Sequence, residues 1–271
     1  MPEILLQHVT PFVLVLARLG GLFLLSPILS SAAVPRQVRF MLLLGLTAVV
    51  YPTIPVQLHA TVSLDLYDLG PIIVRESLIG IVLGLLALLP FAAVQLAGLI
   101  MGQQVGLAFA QIVNPAADIE GDAMGQFLFH LAMAAFLILG GLEALVDATV
   151  RSFTLIPLGG FGPRQLPVEE LASLFTAGLN LAYRISMPVL AIIFIENIVL
   201  GFITKTLPQL NVMSFGFPVR IMLGVGVLIA SMGFVAGVIT DDVEATIGRF
   251  HDCIELFGES AADPPAEGRG P

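Results

Sequence analysis

Six stretches of this chain, at about 11–31, 38–57, 71–101, 124–146, 173–204 and 217–239, are apolar over enough residues to cross a bilayer as helices. Hydrocarbon takes roughly 20 helical residues to traverse, and inside it a segment must satisfy its own backbone N–H and C=O groups. The expected fold class is therefore all-α, a multi-helix membrane-complex protein of about six hydrophobic segments. The chain is 57% hydrophobic and 11% charged over 271 residues, with a mean hydropathy of +0.99. A chain of that length cannot hide so much apolar surface in one internal core, so lipid or partner proteins must cover the remainder.

The connections carry breakers and charges: Pro35 to Arg39, His59 to Gly70, Asn114 to Asp122, and Arg151 to Glu170 with the turn Gly159 to Pro163. The third run continues with little polarity from Pro71 to Val113, about twice the length that a hydrocarbon core needs. It is expected to bend, break or leave the bilayer, with Pro90 at its middle, and Pro188 occupies the same situation in the fifth run. From Asp241 to Phe257, apolar residues at spacings of three and four predict an amphipathic helix for a membrane surface or a partner. Residues 258–271 shift to Gly, Pro, Glu, Asp and Ala, so a helical domain over 1–257 is expected to end in a disordered acidic tail. The first apolar run ends in Ser-Pro sequence without a small-residue cleavage site, and a retained helix is expected there.

Charge excludes one class of partner. The net charge is −9 with no basic block, which argues against nucleic acid. Lysine and arginine do not orient the chain either: Arg151, Arg164, Arg249 and Arg269 fall on one side, against Arg36, Arg39, Lys205 and Arg220 on the other. Such a tie is unlike a conventional six-span topology.

Charges inside apolar runs are costly and are candidates for function. They are Arg18, Arg75 with Glu76, Glu143, Arg184 and Glu196, of which Arg18, Arg184 and Glu196 are placed deepest. Two readings stand: an ion relay of a small-solute secondary transporter, with the breaks at Pro90 and Pro188, or interhelical and intersubunit pairs. Gly98, Gly102 and Gly106 form a stripe at four-residue spacing, as do the pairs Gly80/Gly84 and Gly233/Gly237, which predicts close helix contacts. Asp118, Glu120 and Asp122 open like a calcium loop, but Ala123 and Phe129 stand where its glycine and bidentate acid belong. No metal, cofactor or catalytic residue is expected, since no nucleophile and base pair or metal-ligand spacing is present.

One segment carries a specific resemblance. Gly102-Gln-Gln-Val-Gly-Leu-Ala-Phe-Ala-Gln-Ile-Val-Asn-Pro115 is similar to the Gly-x-Gln-x-Gly-Leu-x-Phe-Ala-x-x-x-Asp-Pro segment of the FliR family. It is accompanied by Ser26-Pro27-Ile28-Leu29, Val34 to Arg39, Met187 to Leu190, Asn197, Gly201, Pro208 to Val212 and Gly216-Phe217-Pro218. In order and spacing these resemble FliR proteins and their injectisome relatives over about residues 5–250. Two departures are local: Asn114 replaces the Asp before proline, and Gly141-Leu142-Glu143 replaces a frequent Gly-His pair.

The resemblance implies a subunit of the flagellar type III protein export gate in the bacterial inner membrane and flagellar basal body. It implies assembly with FliP and FliQ, with FlhB nearby, one copy per gate, around a channel for unfolded flagellar proteins. It further implies bent hairpins packed against sister subunits as much as against lipid. A plug in the closed channel would then include Gly106, Leu107, Phe109, Ile112, Asn114 and Pro115, with Phe109 and Ile112 sealing by exclusion of water.

Overall fold

A computed structural model describes residues 2–30, 34–54, 66–107, 122–160, 168–206 and 212–262. These form seven α-helices and, among the described residues, no strand. They are α1 (Pro2–Leu25), α2 (Arg36–Val50), α3 (Leu66–Val105), α4 (Ala123–Ile138), α5 (Gly141–Leu155), α6 (Val168–Thr206) and α7 (Val212–Ala262). A single 3-10 turn, Tyr51–Thr53, follows α2.

Among the described residues, four helices contain stretches long and apolar enough to cross a membrane: His8–Leu25, Leu69–Val105, Leu171–Thr206 and Gly216–Glu255. The bent pair α4 and α5 makes a fifth if it is one span. Two of the six apolar runs therefore behave differently from the expectation. The second yields only the 15 residues of α2, because Pro52 turns the chain into the 3-10 element. The fourth divides at Leu139 and Gly140, where the helices meet at 65°. Gly140 adopts φ +75°, a left-handed conformation that costs a residue with a Cβ.

The overlong third run is one uninterrupted helix of 40 residues, about 60 Å long at 1.5 Å per residue. It passes through Pro90 and stops at Val105, so of the three expected outcomes, bending, breaking or leaving the bilayer, a break at Pro90 does not occur. The stretch 241–257 is likewise no separate helix but the continuation of α7, and its apolar face, with Phe250, Cys253 and Ile254, is buried within the chain. Helix α7 runs past 257 to Ala262, and residues 263–271 lie outside the described part.

The chain divides into two compact units: residues 1–88, 140–174 and 245–271 in the first, and 89–139 and 175–244 in the second. In the first unit, Leu14, Val15 and Leu19 of α1 pack with Val50, Ile54, Phe153 and Leu158. In the second, Phe91 meets Phe136 edge to face at 5.3 Å and Phe129 at 5.8 Å, geometries that favour aromatic pairs. Burial is uneven: an apolar window of 18 residues is 61% buried within Leu69–Val105, against 17% within Leu171–Thr206 and 22% within Gly216–Glu255. Helix α3 is thus a core element, whereas α6 and the first half of α7 carry large exposed apolar side chains, among them Phe194, Phe202, Met222 and Ile229.

Helices α3 and α4 touch through bare backbone, since a Cβ at Gly98 would lie 2.3 Å from the Cα of Gly125. Gly102, one turn on, has room, its nearest neighbour being the Met124 side chain at 3.8 Å. Gly98→Ala is therefore expected to lower stability by about 1–3 kcal/mol through overpacking, while Gly102→Ala is neutral or slightly stabilising. Unfolding in detergent micelles distinguishes them.

Candidate functional site

The polar centre of the first unit is made possible by glycine. A Cβ at Gly80 would fall 1.8 Å from the carbonyl oxygen of Arg18, and one at Gly21 would fall 2.3 Å from that of Ser77. Helices α1 and α3 therefore meet backbone to backbone, as small residues permit in membrane helices. Arg18 lies three residues before Gly21, and Glu76 lies four before Gly80, so the same contact brings the two side chains together.

Arg18 Nε donates to Glu76 Oε2 at 2.7 Å with both side chains wholly buried. Its Nη1 donates to Ser152 Oγ at 3.1 Å and its Nη2 to the Ile156 carbonyl at 3.2 Å. The guanidinium also stands 4.3 Å from the centroid of the Phe153 ring, an attractive placement for a cation. The second oxygen of Glu76 accepts the Gly159 N–H at 2.8 Å. Gly159 presents that N–H from a turn in which it adopts φ +79° and Gly160 N–H reaches the Pro157 carbonyl. Two buried charges are tolerated when they neutralise each other and their remaining donors and acceptors are bonded. Here each guanidinium nitrogen and both carboxylate oxygens are engaged, so the centre is a closed tie between α1, α3 and the end of α5.

Glu76 is thus deep, although it is not among the three charges that the sequence places deepest. Helix α3 begins at Leu66, before the Gly70-Pro71 pair that reads as its start, which puts Glu76 well inside it. Glu143 is exposed in the first turn of α5, where a negative charge complements the helix dipole. Asp147, one turn on, pairs with Arg151 at 2.7 Å on the surface.

The second unit holds a different pair. Glu196 of α6 is buried, and its Oε2 accepts from Arg220 Nε of α7 at 3.1 Å. Arg220 Nη2 also donates to Asn197 Oδ1. Arg18 and Glu196 therefore have separate partners in separate units. Arg184, the third charge expected to lie deep, is exposed on α6 and has no ion pair among the described residues. The pairing of Asn197 with Arg220 could not be read from sequence, because it joins residues of two helices whose facing is set by packing alone.

The end of α3 is built as a firm stop. Leu107 N–H reaches the Gly102 carbonyl at 3.0 Å and Gly106 N–H the Gln103 carbonyl at 3.1 Å, with Gly106 at φ +90°. This is a Schellman closure, which depends on a left-handed residue after the last turn. The Phe217 ring lies 3.0 Å from where a Gly106 Cβ would be, so space as well as conformation demands glycine. Across the connection, Asp122 precedes α4 and its Oδ2 accepts from Gln95 Nε2 of α3 at 2.9 Å. Both ends of the connection are thereby fastened to α3, Leu107 by backbone and Asp122 by side chain. Phe109, Ile112, Asn114 and Pro115, with Asp118 and Glu120, lie outside the described residues.

These features define a class: an α-helical membrane protein whose buried charges serve as ties and whose longest helices keep apolar faces uncovered. The chain belongs to the bacterial export proteins, family 1, which it matches over residues 9–246. It is 28% identical to flagellar biosynthetic protein FliR of Bacillus subtilis (strain 168) over 254 residues, 92% of this chain and 96% of that one. It is 32% identical to the FliR protein of Escherichia coli (strain K12) over 225 residues, 82% and 84% of the two chains. A more distant similarity, 26% over 221 residues and 80% and 84% of the chains, is to Yop proteins translocation protein T of Yersinia pestis.

Removing one member of a buried pair strands the other. Arg18→Met or Glu76→Leu alone is expected to destabilise the protein by about 3–5 kcal/mol, whereas the double substitution costs less than the sum. A double-mutant cycle on unfolding in micelles measures this; additive costs would mean that the two charges are not coupled.

Proposed function

We propose that this chain is a structural subunit of the flagellar type III protein export gate. In this reading it forms with FliP and FliQ, and beside FlhB, the channel through which unfolded flagellar proteins cross the inner membrane. The observation that carries the reading is the family match across most of the chain, joined by near full-length similarity to FliR proteins. The uneven burial supports it. Windows of 18 residues in α6 and α7 that are only 17% and 22% buried offer apolar surface for other proteins, as a subunit seated among neighbours would. The work asked of such a subunit is mechanical, to hold shape and open a path, so no catalytic residue is assigned. A second reading, the equivalent subunit of an injectisome, is favoured only by the similarity to the Yersinia translocation protein.

Gating is placed in the connection that leaves Leu107 and returns at Asp122. A stopper must move without dragging its supports, and the Schellman end of α3 and the Gln95 to Asp122 bond supply fixed supports on either side. Gly106, Leu107, Phe109, Ile112, Asn114 and Pro115 form the proposed plug, with Phe109 and Ile112 excluding water.

Deletion of the gene is expected to abolish secretion of flagellar proteins, and the tagged chain is expected to co-purify with FliP and FliQ. Normal secretion in the deletion strain would refute the assignment. Replacing Phe109 and Ile112 together by Gly is expected to make the assembled gate leak ions; unchanged membrane conductance would remove the plug from the account while leaving the assignment standing.

A further inference from the structure

A cleft of about 260 Å³ opens between α1 and α2, and nothing in the export reading uses it. Its polar groups are two arginines, Arg36 and Arg39, and its walls are Phe23, Leu24, Phe40 and Leu43. No acidic side chain lines it, although the chain as a whole carries nine more negative charges than positive ones. The arginines stand three residues apart on α2 and so share one face. Arg39 is held in place, its Nε donating to the Val34 carbonyl and its Nη1 to the Ser30 carbonyl, both at 3.0 Å. Arg36 is exposed, with no ion pair or hydrogen bond among the described residues.

We propose that this cleft binds an anionic phospholipid, its headgroup phosphate between Arg36 and Arg39 and an acyl chain along Phe23, Leu24, Phe40 and Leu43. Two observations select a lipid over other anions, and a third accounts for the contact with phosphate. The apolar stretch of α1 ends at Leu25, so the two arginines stand beside its last turn, where a spanning helix meets headgroups. Its apolar wall is itself open to the surroundings, Leu24 being 69% and Phe40 58% exposed, which suits an acyl chain and not a free phosphate. Guanidinium groups match phosphate oxygens with a fork of donors, and one already fixed by two carbonyls loses little freedom on binding.

The absence of tryptophan from the chain makes a direct test possible. Phe40→Trp places the sole indole at the half-open wall of the cleft. The full chain carrying it is reconstituted in phosphatidylcholine vesicles with equal proportions of either dibrominated phosphatidylglycerol or dibrominated phosphatidylcholine. The anionic lipid is expected to quench more strongly, Arg36→Gln to weaken its apparent affinity about tenfold, and Arg36→Gln with Arg39→Gln to erase the preference. Because Arg39 also braces the preceding turn, Gly20→Leu serves as a variant that leaves both arginines intact. Its side chain projects into the cleft, where a Cβ would meet only Leu43 Cδ2 at 4.0 Å, and it is expected to reduce quenching by the anionic lipid. Equal quenching by the two lipids would overturn the proposal, as would relief of quenching by soluble glycerol 3-phosphate, which would indicate a free phosphate site. An indole shielded from both lipids in the assembled complex would also overturn it, by assigning the cleft to a neighbouring protein.

Discussion

A guanidinium and a carboxylate out of reach of solvent hold the first unit together, and much else in the chain exists to make that possible. Desolvating Arg18 and Glu76 is tolerable only at contact distance with every remaining donor and acceptor bonded. Contact requires two helix backbones to approach more closely than side chains allow, which Gly21 and Gly80 permit. Full bonding requires Ser152, the Ile156 carbonyl and the Gly159 N–H to be delivered to the same point. One charge pair thereby fixes α1 against α3 and secures the chain leaving α5. Each guanidinium nitrogen and both carboxylate oxygens have a partner within the chain, which favours a structural tie over the relay that a transporter would need.

The second unit applies the same economy with a different result. Glu196, Asn197 and Arg220 join α6 to α7, yet the side chains around them, Phe194, Ile195, Ile198 and Phe202, remain about half exposed or more. A single chain has not enough partners to cover both helices. The fixed supports at Leu107 and Asp122 add local structure that a simple bundle of spans would lack. Together they describe a component made to be completed by neighbours.

Much of this was legible in the sequence, and the failures have physical causes. Apolar length announced a helical chain, and the costly charges announced polar contacts, because both follow from solvation and need no tertiary knowledge. The sequence could not say that Arg18 would choose Glu76, since that depends on which helices meet, nor that Gly140 would divide an apolar run, since a glycine inside such a run looks the same whether or not it bends. Pro90 does not interrupt α3: proline weakens a helix locally, but a run so apolar has no better state than to continue. Gly106 was legible as a small residue in a stripe with Gly98 and Gly102, while its left-handed closure of α3 was not, because that depends on the bonds of Leu107 and Gly106 to the preceding turn.

The central claim is that the exposed apolar faces of α6 and α7 meet other protein subunits. Its most direct test is a photo-activatable amino acid placed at Phe194, which is 66% exposed, followed by illumination of intact cells and identification of what becomes attached. The account predicts a covalent adduct with another subunit of the export gate. Attachment to lipid alone, with no protein adduct from this face or from Met222 of α7, would contradict it.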